Sequence, residues 1–103
     1  TGHTLIIPKQ HGATLIETST EDLKAMIASS KPLAEAIHEV FDPDGIAIVQ
    51  LNGEAAGQTV FHYHMHLIPR NKGEPFGIHG KRRADAQDLA DHASRLAAAF
   101  VPA

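Results

Sequence analysis

The stretch "FHYHMHLIPR", residues 61–70, places His62, His64 and His66 at every second position and ends on Pro69-Arg70. Three of the chain's eight histidines are gathered there. Successive side chains of a β-strand point to opposite faces, so a strand over Thr59–Ile68 sets all three imidazoles on one face. Phe61, Tyr63, Met65 and Leu67 then share the other face, which is apolar and suited to packing on helices. One face is expected to hold core, the other a line of imidazoles.

Working outward, two more strands are expected. "HTLIIPK" (His3–Lys9) is apolar and ends at Pro8-Lys9, and "GIAIVQLN" (Gly45–Asn52) precedes the short connection "GEAAG". That connection suits a hairpin into the histidine strand and so an antiparallel sheet. "TSTEDLKAMIASSKPLAEAIHEVF" opens with a capping-box pattern, Thr18-x-x-Glu21, and keeps Leu23, Met26, Ile27, Leu33, Ile37, Val40 and Phe41 at helical spacing. Pro32 lacks the N–H that an interior position needs, so a kink or restart is expected there. "ADAQDLADHASRLAAAFV" sets Leu89, Ala93, Leu96 and Phe100 on one stripe of a terminal helix, and "RNKGEPFGIHGKRR" reads as a loop. The order β–α–β–β–α predicts a single α+β domain over 1–103, mainly antiparallel, with a long helix and a C-terminal helix. The chain opens on "TGHTLIIPK", already strand-like, so an N-terminal segment is expected to be missing.

Composition narrows the partners. At 103 residues and a formal net charge of −3, the chain lacks the basic excess of non-specific nucleic-acid or membrane binders. Lys81-Arg82-Arg83 is the dense basic patch, and three adjacent cations are more often a solvated loop than a phosphate site. Cysteine is absent, which excludes disulfides and thiolate metal sites and fits a reducing, cytoplasmic compartment. No apolar run nears the roughly 18 residues that span a bilayer.

Three readings of the histidine face compete. A zinc site is one, since imidazole is a common zinc ligand. Outer residues of the run lie about 13 Å apart at about 3.3 Å per residue, so one ion held by all three is strained, and a two-histidine site with a distant third ligand is easier. A second reading is histidines satisfied by hydrogen bonds and nothing more, which strict alternation of three disfavours. The third is nucleophilic catalysis. A neutral imidazole nitrogen attacks near pH 7 while its partner nitrogen carries the proton, and "AGQTV" upstream adds amide and hydroxyl donors for anionic oxygens.

"HYHMHLI" resembles the His-φ-His-φ-His-φ-φ pattern (φ apolar) of the histidine-triad (HIT) superfamily. "GHTLIIPK", "LNGEAAGQ" and "GQTVFH" are similar to that family in order and spacing, and "LIPR" looks more like its bacterial and fragile-histidine-triad branches than the Gly-Gly ending of the Hint-like branch. The resemblance implies a hydrolase or transferase that cleaves a bond to the α-phosphate of an AMP or GMP conjugate, such as a phosphoramidate or dinucleoside polyphosphate. It implies His64 as a nucleophile that becomes nucleotidylated, His66 as the residue helping the leaving group depart, and His62 as the residue whose backbone and ring help fix the nucleophile's tautomer. His3 resembles a fourth family histidine behind the triad and is grouped with the expected substrate-binding residues. Asn52, Gln58 and Thr59 match positions contacting phosphate or ribose, although Asn52-Gly53 is also a plain turn signal. No cofactor or metal is implied, and a homodimer is. The alternatives are a non-catalytic nucleotide-binding regulatory dimer and a His-ligated zinc enzyme. Of the other histidines, His11, His38 and His92 read as surface or half-buried, His79 as a loop residue within reach of a ligand, and Arg70 as a strand-end cation able to meet a phosphate. The family's base and ribose pocket belongs to a segment preceding "GHTLIIPK", so no base-binding residue is assigned.

Overall fold

The computed structural model describes residues 2–74 and 86–100. Its elements are β1 (Thr4–Ile6), α1 (Thr20–Phe41), β2 (Gly45–Val49), β3 (Met65–Arg70) and α2 (Ala86–Ala99), with a 3₁₀ turn at Glu54–Ala56 between β2 and β3. The sheet has the order β1-β3-β2 and both pairings are antiparallel. An α+β architecture with an antiparallel sheet, a long helix and a C-terminal helix is what the hydrophobic pattern predicts. Among the described residues no helix is long and apolar enough to cross a membrane. His79, the Lys81-Arg82-Arg83 run and the loop from 75 to 85 lie outside the described residues.

The long helix starts one residue later than its capping-box pattern suggests. Ser19 is the N-cap and its Oγ accepts from the Asp22 N–H at 3.1 Å. Thr18 instead donates its hydroxyl to the Thr14 carbonyl at 2.8 Å, which closes the turn leading into the helix. Either hydroxyl can cap, and the turn upstream decides which is used. The expected kink or restart at Pro32 does not divide the helix, which is assigned continuously from Thr20 to Phe41 with Pro32 buried inside it. Burial of that ring offsets part of the cost of the lost N–H.

Each strand is shorter than predicted, or shifted along the chain. β1 pairs Thr4 with Leu67 and Ile6 with Met65, and β2 pairs Gly45 with Arg70 and Val49 with His66. Neither neighbour reaches past Met65 toward the N-terminus of β3. Residues 59–64 therefore have no ladder partner and leave the strand conformation expected for Thr59–Ile68. At its other end β3 runs through Pro69. The β1 ladder stops at Leu67, so the proline sits where β3 is paired on one side only, as a strand proline requires.

The core lies between the sheet and α1. Met26, Ile37, Tyr63, Met65 and Leu67 form its buried cluster, with Ile6, Leu23, Leu33, Phe41, Ile46 and Leu96 packed around it. Ile37 and Leu67 are fully buried, at 0% exposure. Phe41, on the last turn of α1, joins three parts of the chain. His92 of α2 meets its ring edge-on at 5.1 Å, and the Arg95 guanidinium lies 5.6 Å from its centroid. Gly2 approaches from the start of β1 with φ +81°, and a Cβ there would fall 2.8 Å from the Phe41 ring. Only glycine admits both that backbone conformation and that approach, so Gly2 fixes where His3 begins.

Candidate active site

The chain brings five histidines into two contiguous groups. His64 and His66 meet edge-on with ring centroids 4.8 Å apart, and His66 lies 5.0 Å from His3. His62 turns away from this line and meets His11 edge-on at 5.2 Å. A regular strand puts all three triad rings on one face. Because His62 and His64 precede β3, only His66 obeys the ladder, and the rings diverge.

Two hydrogen bonds to carbonyls set protons, and a third joins two rings. His64 Nδ1 lies 2.7 Å from the carbonyl oxygen of His62. A carbonyl can only accept, so Nδ1 carries the proton and Nε2 of the neutral ring keeps its lone pair. His62 Nε2 lies 3.1 Å from the Pro8 carbonyl and by the same logic donates. His66 Nδ1 lies 2.8 Å from His3 Nε2. His66 is buried, at 5% exposure, whereas His3 is exposed. These donors and acceptors come from either flank of β1 (His3 and Pro8), the segment leading into β3 (His62 and His64) and β3 itself (His66).

The segment Thr59–His64 takes its order from the loop after β1. The Tyr63 N–H donates to the Gly12 carbonyl at 2.6 Å, and the neighbouring His62 ring bonds to the Pro8 carbonyl in the same loop. Between two histidines that face the site, Tyr63 points inward and is nearly fully buried. Burial pushes its phenol above the usual tyrosine range, because the phenolate would lose its hydration.

The predicted phosphate and ribose contacts have their own structure. Gln58 is buried at 2% exposure, donates to the carbonyls of Ala13 and Val60, and accepts from the Gly53 N–H at 2.7 Å. It clasps the loop after β1 to the β2–β3 connection, and contact with a phosphate or ribose would require those bonds to be exchanged. Asn52 is exposed, accepts from the Leu15 N–H at 2.7 Å, and pairs amide to amide with Gln50. Thr59 is exposed beside them. Arg70 donates to the Glu74 carbonyl at 3.1 Å at the far end of β3. His38 lies exposed on α1, away from the histidine cluster in sequence and element.

Pattern reading misses Pro8 and Gly12, which act through carbonyl oxygens, whereas the family resemblance already points to the backbone of His62. A main-chain acceptor leaves no mark in residue identity. His11 had a weak signal, a further histidine after a strand-ending proline, and the structure sets it against His62. Among the described residues no group of three or more His, Cys, Asp or Glu side chains is placed to hold a metal ion.

Comparison with known proteins places this arrangement. A family model described as the HIT domain matches residues 1–73. The chain is 44% identical over 100 residues to "Protein hit" of Bacillus subtilis, covering 93% of this chain and 69% of that protein. It is 37% identical over 95 residues to "Adenylylsulfatase HINT3" of Arabidopsis thaliana, covering 92% of this chain and 48% of that one. Among solved structures, a zinc-bound histidine triad family protein from Mycobacterium smegmatis superposes with a TM-score of 0.79 at 37% identity, covering 96% of this chain and 68% of that one. The chain thus spans between about half and two thirds of the length of these relatives. With the HIT model matched from the first residue through β3 and the histidine cluster assembled by the same elements, the chain belongs to the histidine-triad (HIT) family.

Proposed function

We propose that the chain hydrolyses, or transfers the nucleotidyl group from, a nucleoside monophosphate conjugate through a covalent nucleotidyl-histidine. The observation that carries this reading is the 2.7 Å bond from His64 Nδ1 to the His62 carbonyl. It leaves Nε2 with the lone pair that an in-line attack on the α-phosphorus needs. His66, edge-on to His64, stands where it can give a proton to the departing group. His62 contributes the carbonyl and, through its bond to Pro8, the orientation of that carbonyl. Asn52 and Thr59 offer donors for phosphate or ribose oxygens, and Gln58 holds the loop that presents them. Water then attacks the nucleotidyl-histidine and releases the nucleoside monophosphate. The adenylylsulfatase name of the Arabidopsis relative favours AMP conjugates as substrate class.

The test is hydrolysis of a set of AMP conjugates (phosphoramidate, dinucleoside polyphosphate, sulfate) by the full chain. Release of AMP from one or more supports the reading. Binding of AMP with no turnover of any conjugate would favour a regulatory module instead. The zinc reading has support in the metal-bound Mycobacterium relative, and elemental analysis decides it. We expect well under one zinc per chain and full activity after chelation. Activity lost with a stoichiometric zinc would overturn the metal-free mechanism.

The same reading includes pairing of two copies in a cytoplasmic homodimer. Ile48 on β2 and Ile27 on α1 are exposed large hydrophobics, at 50% and 57%, and β2 is the last strand of the described sheet on its side. Such an edge is open to a partner strand. Light scattering is expected to give twice the 11.1 kDa chain mass.

A further inference from the structure

We propose that His3 stores the proton that His66 uses, so that the His3–His66 pair reverses its tautomer in the first chemical step and resets in the second. The inference rests on the nucleotidyl-histidine reading above and adds a task for His3 that does not involve touching the substrate.

The geometry behind it is a contrast. His66 is buried and His3 is exposed, yet their rings are joined by a 2.8 Å contact between His66 Nδ1 and His3 Nε2. A neutral imidazole is a very weak acid, because losing its N–H proton leaves an anion. For His66 to protonate a leaving group it must be an imidazolium or gain a proton on Nδ1 as it gives one from Nε2. At 5% exposure, His66 has little water around it to solvate a charge. The exposed ring of His3 can carry that charge beside water, and its Nε2 already faces the receiving nitrogen. The third ring of the line, His64, is edge-on to His66 and has its own Nδ1 proton committed to the His62 carbonyl.

The steps balance as follows. Before reaction both nitrogens of His3 are protonated, and His66 carries its proton on Nε2 while Nδ1 accepts from His3. His64 Nε2 forms a bond to phosphorus as the bond from phosphorus to the leaving atom breaks. The leaving atom takes the Nε2 proton of His66, and His66 takes the Nε2 proton of His3 on Nδ1. His3 is now neutral, and His66 presents a bare Nε2. That is the tautomer a general base needs. When water attacks the nucleotidyl-histidine, His66 Nε2 accepts its proton and His66 Nδ1 returns one to His3. The phosphorus–His64 bond breaks, and both rings stand as they began. The proton given to the leaving group in the first step is thereby replaced by one from water in the second.

The experiment separates proton supply from support. Pre-steady-state leaving-group release is measured for AMP conjugates of an alkylamine, which needs a proton to depart, and of p-nitrophenol, which does not. His3→Gln keeps an N–H near the Nε2 position but cannot deliver its proton. It is expected to slow the alkylamine burst by about 10²–10³-fold, in the range of general acid catalysis, and the p-nitrophenol burst by less than about 3-fold. KM is expected to stay within about 2-fold. The nucleotidylated protein formed from the p-nitrophenol ester is expected to persist, since its hydrolysis needs the reversed tautomer. His3→Gly with free imidazole in solution is expected to regain at least about tenfold of the alkylamine rate, because the site of His3 is open to solvent. Equal slowing of both bursts, or no slowing of either, with an active wild type overturns this inference alone. A wild type that releases neither leaving group overturns the function reading and this inference together.

Discussion

His64 and His66 stand two residues apart and are fixed by different kinds of partner. His66 belongs to β3, paired with Leu5 on one side and Val49 on the other, and its ring is bonded to a side chain, His3. His64 precedes the ladder, and its ring is bonded to the main-chain carbonyl of His62. A side-chain partner can be deleted by one substitution, whereas a carbonyl survives every substitution at its own residue. The ring that the reading casts as nucleophile is held by the more durable bond. The ring that the reading casts as proton donor and acceptor is bonded to another imidazole.

This contrast orders the expected effects of substitution. His64→Ala removes the attacking atom and is expected to lower turnover by at least about 10⁴-fold, with binding of AMP retained, since the bond it makes forms only on the way to the transition state. Steady-state kinetics beside equilibrium binding of AMP checks it. Leu67→Ala acts on the opposite face of the same strand. Leu67 is fully buried in the core against α1, and truncation is expected to cost about 2–5 kcal/mol in denaturant unfolding. His62→Ala is expected to lower turnover by no more than about tenfold, because the carbonyl holding His64 remains and only the ring's contacts with Pro8 and His11 are lost. A loss from His62→Ala as large as that from His64→Ala would place the nucleophile's support in the His62 ring.

The smallest effect concerns Tyr63, between the two. It is the chain's one tyrosine, so ultraviolet absorbance reports its ionisation alone. Its folded-state pKa is raised by burial, so the folded protein holds that proton more tightly than the unfolded chain does. Stability is then unaffected below the unfolded value near about 10 and falls as pH rises through the window up to the folded value. Tyr63→Phe is expected to remove that alkaline loss and to change stability little at neutral pH. Phenolate forming at the ordinary tyrosine pKa with the fold intact would contradict the burial.

The residues themselves explain how much of this was legible in the sequence. Apolar spacing in α1 and the alternation in β3 were enough for the element order, because Ile37, Met65 and Leu67 each occupy the buried position that the period requires. The HxHxH spacing located the histidine cluster and the family. The pattern failed at residues 59–64, where alternation persists without a ladder. β1 ends at Ile6 and β2 at Val49, and strand length is set by partners that a local period does not contain. For the same reason the bonds to Pro8 and Gly12 were invisible, since both act through carbonyls, and the backbone of His62 was reached only through the family resemblance. Gln58 was singled out by position as a ligand contact, and its burial between three backbone groups gives it a structural task that adjacency to the triad could not reveal.

The most direct measurement is to capture the covalent nucleotide. The full chain is mixed with an AMP conjugate bearing a radiolabelled α-phosphate and quenched within milliseconds in alkaline denaturant, which preserves a phosphorus–nitrogen bond that acid would cleave. Peptide mapping is expected to find the label on His64 in wild type, and no label in His64→Ala. Label on His62 or His66, or an active wild type that never carries label at any quench time, would contradict His64 as the nucleophile.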